Sequence, residues 1–162
     1  MSGASSRAVM PVEWGKVREY AQATAAARPV YMDDPHAPIP PTFLATVVFW
    51  TPIGETLRSP EVLKACAEAG VEADTRTLLS LEQEYVFHGP LPRAGDRLHT
   101  SERLRDIRVK QTRSGRVMVV VRFTVSFHDE QGERGGPSGQ DERGGLRAEC
   151  HYTSAFVQQE SL

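Results

Sequence analysis

Cysteine, unbalanced charge and long apolar runs are all scarce in this sequence of 162 residues. Its two cysteines, Cys66 and Cys150, match no metal-binding or redox spacing, so we expect two reduced, buried thiols and a cytoplasmic location. The formal net charge of −2 gives no reason to expect nucleic acid or an anionic membrane as a partner. No apolar run approaches the roughly 20 residues that a membrane-spanning helix needs. The sequence therefore predicts a soluble protein that acts on neither membranes nor nucleic acid.

The residues that are present suffice for one domain with a sizeable core, because 40% of them are apolar and 25% are charged. Residues 1–10 are mostly small and polar, which predicts a disordered tail and not a secretory signal. We expect the folded domain to cover residues 11–158. Within it, residues 132–145 are rich in glycine and charged residues, which predicts a flexible hairpin loop.

Metal and cofactor motifs are missing. Four histidines lie one per predicted strand region and lack the spacing of metal ligands; they are His88, His99, His128 and His151. The glycine-rich loop at residues 132–145 has no phosphate-binding pattern. We therefore expect no metal and no cofactor.

The stretch from Phe43 to Trp50 is apolar apart from Thr46. A helix that is apolar on all sides has to lie inside a core, so we predict a central buried helix here. The preceding loop, from Pro29 to Pro41, is rich in proline and aspartate and also holds a tyrosine and a histidine. A polar, proline-stiffened loop that leads into a buried helix predicts a binding or reaction site at the helix start.

Periodicity supplies the other elements. Residues 15–26 show a helical pattern, with Val17, Tyr20 and Ala21 on the apolar face. A second helix is predicted from Ser59, as N-cap, to Gly70. Alternation then predicts four antiparallel strands, at residues 79–88, 97–111, 116–129 and 146–157, with the third of them central in the sheet. Helices followed by antiparallel strands indicate an α+β fold.

Four passages resemble a known family in their order and spacing. They are Gly15–Ala21, Arg28–Ala37, Pro40–Phe43 and Glu82–Asp96. They are similar to passages of the MaoC-like, R-specific hydratase/dehydratase branch of hot-dog proteins, most closely its fatty-acid-synthase-like dehydratase N-terminal group. The resemblance covers about residues 12–157. It implies a single hot-dog fold, in which an antiparallel sheet wraps around a central apolar helix.

In catalytic members of that family an Asp and a His, five residues apart, activate a water that adds to a trans-2-enoyl thioester. On this chain the resemblance places the Asp at Ala26 and the His at Tyr31, while Pro29 and Asp33 match the family pattern. Alanine carries no proton, and a tyrosine with an unperturbed pKa of about 10 is a poor base. The resemblance therefore implies a subunit type that lacks the catalytic pair and works beside a partner that has it.

Several residues of the loop and helix have two interpretations each. Asp33, Asp34 and His36 could form a substitute acid/base set or merely a capped, solvent-facing turn. Tyr31 could hydrogen-bond a thioester or pack at a dimer seam. The predicted substrate-binding residues are Tyr31, Thr42, Phe43, Leu44 and Val47. Phe43, Leu44, Val47 and Val48 fit either an acyl tunnel or plain core packing.

The sequence thus favours a subunit of an R-specific 3-hydroxyacyl-thioester dehydratase (a hydro-lyase) that is inactive alone. The expected substrate is acyl carrier protein or coenzyme A thioester in fatty-acid or polyketide biosynthesis. We expect the chain to dimerise with a catalytic MaoC-like subunit or with itself. Two alternatives stay open: a self-sufficient dehydratase or other thioester enzyme that uses Asp33, His36 or Tyr31, and a non-catalytic acyl-thioester-binding module.

Overall fold

A computed structural model describes residues 8–51, 53–129 and 145–159. Its α-helices are α1 (Trp14–Ala23), α2 (Pro29–Met32) and α3 (Pro60–Glu68), and its 3-10 helices are Phe43–Phe49, Thr56–Arg58 and Thr75–Thr77. Its strands are β1 (Ala8–Pro11), β2 (Leu79–Phe87), β3 (Arg97–Gln111), β4 (Val117–His128) and β5 (Leu146–Val157). The predicted α+β class is confirmed. Among the described residues, no helix is both long and apolar enough to cross a membrane.

The strands form one antiparallel sheet in the order β1-β3-β4-β5-β2. The predicted central position of β4 is confirmed, and the valines on both of its faces, Val119, Val120 and Val121, are buried. Strand β2 lies at one edge, where Leu79 and Leu81 stay half exposed. An apolar side chain on an edge strand is a feature that proteins normally cover or pair.

Strand β1 corrects the predicted disordered tail. Residues 8–10 belong to this strand, which pairs antiparallel with β3 and puts Ala8 opposite Thr100. The side chain of Met10 is fully buried. Four residues are too few to show an alternating pattern, so the strand arises from pairing with a distant segment. Residues 1–7 lie outside the described part of the chain, as does the predicted flexible loop at 132–145 except Gly145.

The central apolar stretch is a 3-10 helix with one buried face. Phe43, Leu44 and Val47 are at most 1% exposed. The hydroxyl of Thr46 donates a hydrogen bond of 2.8 Å to the carbonyl of Phe43, which together with the neighbouring β-branched valines disfavours regular α-helix.

The opposite face of this helix is open. Val48, Phe49 and Trp50 are 54%, 80% and 38% exposed, so the expected burial on all sides is wrong for these three residues. A helix of seven residues turns only part of its surface toward the interior of its own chain. Apolarity alone could not tell whether the remaining part is covered by this chain or by another molecule.

Helix α3 begins as predicted. Pro60 occupies the first turn, and the Ser59 side chain accepts a hydrogen bond from the amide of Val62 at 3.4 Å. Val62 and Cys66 are buried, whereas Leu63 is 46% exposed. Burial raises the pKa of the Cys66 thiol.

The chain divides into two compact units. One consists of Met1–Pro52, Tyr85–Ser101 and Ser126–Glu149, and the other of Ile53–Glu84, Glu102–Val125 and Cys150–Leu162. The candidate site described below lies within the first. The boundaries of the expected domain, residues 11–158, stay a prediction.

Candidate functional site

The position that the family resemblance gives to the catalytic Asp lies directly after α1. The amide of Ala26 donates to the carbonyl of Ala21 at 2.8 Å, and the amide of Ala25 donates to that of Gln22 at 3.1 Å. Ala25 adopts a left-handed φ of 54°, so these bonds form the Schellman type of helix end. These bonds fix the backbone at Ala26. Its methyl side chain can neither accept nor donate a proton.

The position of the catalytic His is Tyr31, a half-buried residue of α2. This helix begins at Pro29, and Asp33 is its C-cap. Pro29 occupies the first turn of this helix, a position that suits proline.

The substitute acid/base set is not assembled in this structure. The Asp34 carboxylate accepts a hydrogen bond of 2.8 Å from the backbone amide of His36, and Arg93 donates one of 2.9 Å to the backbone carbonyl of His36. Within the described residues, no hydrogen bond or ion pair joins the side chains of Tyr31, Asp33 and His36. The capped-turn interpretation of this loop fits these contacts.

A tyrosine that sequence reasoning assigned only to packing holds the start of the central helix. The hydroxyl of Tyr20 donates to the carbonyl of Thr42 at 3.0 Å and lies 2.8 Å from the Thr42 hydroxyl. Its ring packs edge-on against Phe43, with ring centroids 5.6 Å apart. The only signal in the sequence was the place of Tyr20 on the apolar face of α1.

These contacts bear on the predicted substrate-binding residues. The hydroxyl of Thr42 is engaged by Tyr20, and Phe43, Leu44 and Val47 are buried in the interior. The burial of Phe43, Leu44 and Val47 fits the core-packing interpretation, and their assignment to substrate binding stays a prediction. Of the predicted set, only Tyr31 combines partial exposure with a side chain that makes no hydrogen bond among the described residues.

An apolar groove of about 460 Å³ opens on the other face of the same helix. Helix α1 and the 3-10 helix line it together, through Lys16, Glu19, Tyr20, Ala23, Thr46, Phe49 and Trp50. The α1 residues recur at the three- and four-residue intervals that place side chains on one face of a helix. Volumes of roughly 300–1,000 Å³ are usual for small-molecule sites.

A carboxylate–imidazole contact does occur in this unit, between two residues that are not part of the loop. Nε2 of His88, just after β2, lies 3.0 Å from Oε2 of Glu149 on β5. Neither residue belongs to the segment from Ala26 to Thr42. In the described ranges, no group of three or more His, Cys, Asp or Glu side chains is placed to hold a metal ion.

The second unit contains a polar cavity of about 470 Å³ on the sheet. Thr124, a buried residue of its lining, shares a hydrogen bond of 2.8 Å with Nδ1 of His151. Arg122 binds Asp106 through two of its nitrogens, and this hydrogen bonding lowers the pKa of the Asp106 carboxyl. Such cross-strand pairs are typical of a solvated sheet face.

Replacing Tyr20 with phenylalanine tests its contact with Thr42. We expect Tyr20→Phe to lower the free energy of unfolding by at most about 1 kcal/mol, since it removes the hydroxyl that bonds Thr42, in an exposed hydrogen bond, and keeps the ring. Urea unfolding measures the change, and Tyr20→Ala, which also removes the ring, should cost clearly more. Equal losses in the two variants would show that the hydroxyl, and not the ring, carries the whole effect.

Comparisons with known proteins give the family and the fold of this chain. A family model described as the FAS1-like dehydratase domain region matches residues 3–134. A chain of the ChsH1-ChsH2 complex from Mycobacterium tuberculosis superposes with a TM-score of 0.61 at 19% identity, covering 96% of this chain and 88% of that one. The MaoC-like dehydratase from Rhodospirillum rubrum gives 0.52 at 12% identity, covering 99% and 96%. No curated protein sequence matches significantly. The structural likenesses confirm the hot-dog fold.

Proposed function

This chain belongs to the family of the FAS1-like dehydratase domain region, and from that premise we propose that it is the non-catalytic subunit of an R-specific 3-hydroxyacyl-thioester dehydratase. In this role it pairs with a MaoC-like hot-dog subunit that carries the catalytic Asp and His. The acyl group is held on acyl carrier protein or coenzyme A, in fatty-acid or polyketide biosynthesis. The buried thiols of Cys66 and Cys150 favour a cytoplasmic location.

The observation that carries the proposal is the loss of both proton-transfer groups. Dehydration needs a base for the proton beside the thioester carbonyl and an acid for the departing hydroxyl. Ala26 and Tyr31 occupy the two positions that the resemblance assigns to these groups. No acid–imidazole contact replaces them among the described residues of the loop. A chain of this family that lacks the catalytic Asp and His needs a partner subunit that supplies them.

Open surfaces support the pairing. Strand β2 is an edge with half-exposed Leu79 and Leu81, and natural sheets rarely leave such an edge bare. Val48, Phe49 and Trp50 add exposed apolar surface in the first unit. The solved ChsH1-ChsH2 structure is a complex of two proteins, which is a precedent for a heteromeric arrangement.

The test is an assay of enoyl hydration, the reverse of dehydration. The purified chain should turn over a trans-2-enoyl thioester at the uncatalysed rate. Mixed with a MaoC-like subunit that has an intact Asp-x-Asn-Pro-x-His motif, it should co-elute in size exclusion and raise the rate above that of either protein alone.

Two variants separate this proposal from a self-sufficient enzyme. His36→Ala and Asp33→Ala should leave the rate of the mixture unchanged within about twofold, since residues outside the reacting site contribute little to proton transfer. Turnover by the isolated chain that either variant abolishes would overturn the non-catalytic assignment. Elution of the isolated chain at twice its monomer mass would show that it forms a homodimer.

A further inference from the structure

We propose that the outer edge of β3, the edge that faces away from β4, is a docking surface for an extended acidic segment of another protein. The surface runs from Arg103 to Gln111. The segment pairs with this edge as an added strand and places its carboxylates beside the basic side chains of β3. The surface lies wholly within the second compact unit and is independent of the proposed dehydratase role.

Strand β3 is longer than the strand that covers its outer edge. Strand β1 pairs with it only at Arg97–Thr100, whereas β3 continues to Gln111. Among the described residues, no strand pairs with the outer edge beyond Thr100. At about 3.3 Å per residue, the stretch Arg103–Gln111 offers roughly 30 Å of edge, which is enough for an added strand of about eight residues.

The β3–β4 turn shows which backbone amides face the outer edge. The amide of Thr112 donates to the carbonyl of Arg116 at 2.8 Å, so it points toward β4. In an antiparallel pair the amides of alternate residues point to the same neighbour. The amide of Lys110 therefore also points toward β4, and the amide of Val109 points to the outer edge. Val109 is 57% exposed, so the backbone of this part of β3 is within reach of a partner.

Positive charge is concentrated on the same part of the chain. Residues 103–116 hold six of the 19 basic residues and one of the 21 acidic residues. The basic residues, all of them exposed, are Arg103, Arg105, Arg108, Lys110, Arg113 and Arg116. The one acid, Asp106, is bonded to Arg122. The formal net charge of −2 thus divides into +5 for residues 103–116 and −7 for the rest of the sequence.

The basic side chains are placed to meet an added strand on both of its faces. Successive side chains of a strand point to opposite faces, so Arg103 and Arg105 share one face, and Arg108 and Lys110 share the other. Within the part of the chain that the structure describes, Arg103, Lys110 and Arg113 form no side-chain hydrogen bond or salt bridge. Opposite charges on neighbouring strands stabilise their pairing, so acidic residues suit both faces of the segment.

The combination of charge and free edge selects the class of partner. Charged side chains on an edge strand commonly prevent pairing with other strands. Charge of a single sign does so selectively, because it repels a second copy of the same edge and attracts an acidic segment. Nucleic acid and anionic membranes are negative too, but they lack the backbone amides and carbonyls that pair with a strand. An acidic polypeptide satisfies both features.

The experiment follows the fluorescence anisotropy of a labelled peptide of four Thr-Glu repeats as the full-length chain is added. We expect saturable binding that weakens about tenfold or more between roughly 0.05 and 0.5 M NaCl, because salt screens exposed charges. A peptide of four Thr-Lys repeats should not bind. The Thr-Glu peptide with every backbone amide N-methylated keeps its carboxylates but cannot donate to a strand, so it should bind at least about tenfold more weakly.

Matched variants locate the surface. The double variant Arg105→Glu with Lys110→Glu should weaken binding at least about tenfold. Its control, Arg28→Glu with Lys64→Glu, makes the same charge change at other exposed positions and should alter binding by no more than about threefold. Val109→Pro removes an outer-edge amide, keeps every charge and spares the ladder to β4, so it should weaken binding. Val109→Ala, which keeps the amide, should not.

Three results would overturn the proposal. One is N-methylated peptide binding as tightly as the unmethylated peptide, since charge alone would then suffice. Another is equal weakening by the two charge-reversal pairs, or no saturable binding at all. The third is tighter binding of a deoxythymidine oligonucleotide or of phosphatidylglycerol vesicles than of the peptide, which would assign the positive edge to another class of partner. None of these results bears on enoyl hydration with a MaoC-like subunit.

Discussion

Phe43→Ala is expected to lower the free energy of unfolding by about 3–5 kcal/mol, the usual cost of emptying a fully buried phenylalanine site. The side chain is 1% exposed, and its ring packs edge-on against Tyr20 at 5.6 Å. Truncation would lose the apolar burial and that ring contact, and it would leave a cavity beside Leu44 and Val47, which follow it on the buried face. Urea unfolding of the parent and the variant gives the difference directly.

Phe49→Ala is the matched control on the same helix. Phe49 is 80% exposed, so its truncation should change the free energy of unfolding by no more than about 0.5 kcal/mol. The contrast tests whether the helix has one buried and one open face. Similar losses in the two variants would contradict that orientation, and with it the groove built on the open face.

The double variant Ala26→Asp with Tyr31→His should give the isolated chain an enoyl hydration rate at least about 100-fold above the parent's, because acid–base groups contribute roughly 10²–10⁴ in rate. The two positions keep the five-residue separation of the catalytic motif. Position 26 has a backbone fixed by the end of α1, and position 31 is half buried on α2. Initial rates on a short trans-2-enoyl thioester measure the gain.

The single variants are the controls for this gain. Each restores one group without the other, and groups that act as a unit are strongly non-additive, so both singles should stay near the parent rate. A double variant that folds like the parent but is no more active would show that the two positions do not converge on a substrate. The residue-by-residue transfer from the family would then fail at this site.

Long, locally patterned strands were predictable from the sequence. The bounds predicted for Arg97–Gln111 and Leu146–Val157 are those of the structure. Successive side chains of a strand point to opposite faces of the sheet, so a long strand leaves a local pattern in the sequence. Strand β1 was not predictable from the sequence, since its four residues form a strand only by pairing with β3. The Ser59 cap of α3 was predictable as well, because its hydrogen bond spans three residues.

In the candidate site, too, local features were predictable from the sequence and contacts between distant residues were not. The absence of an acid at position 26 and of an imidazole at position 31 is visible in the sequence itself. The hydrogen bond between Tyr20 and Thr42 joins residues 22 positions apart, and no local pattern encodes it. The exposed face of the central helix was not predictable either, because the apolar character of a side chain does not show whether its own chain or another molecule covers it.

The most direct measurement concerns the catalytic histidine of the partner. In the active mixture with a MaoC-like subunit, replacing that histidine with alanine should reduce enoyl hydration by about 10²–10⁴-fold while the two proteins still co-elute, because Ala26 and Tyr31 cannot take over proton transfer. A complex that keeps its rate after this replacement would place the acid–base chemistry in the chain described here and contradict the account.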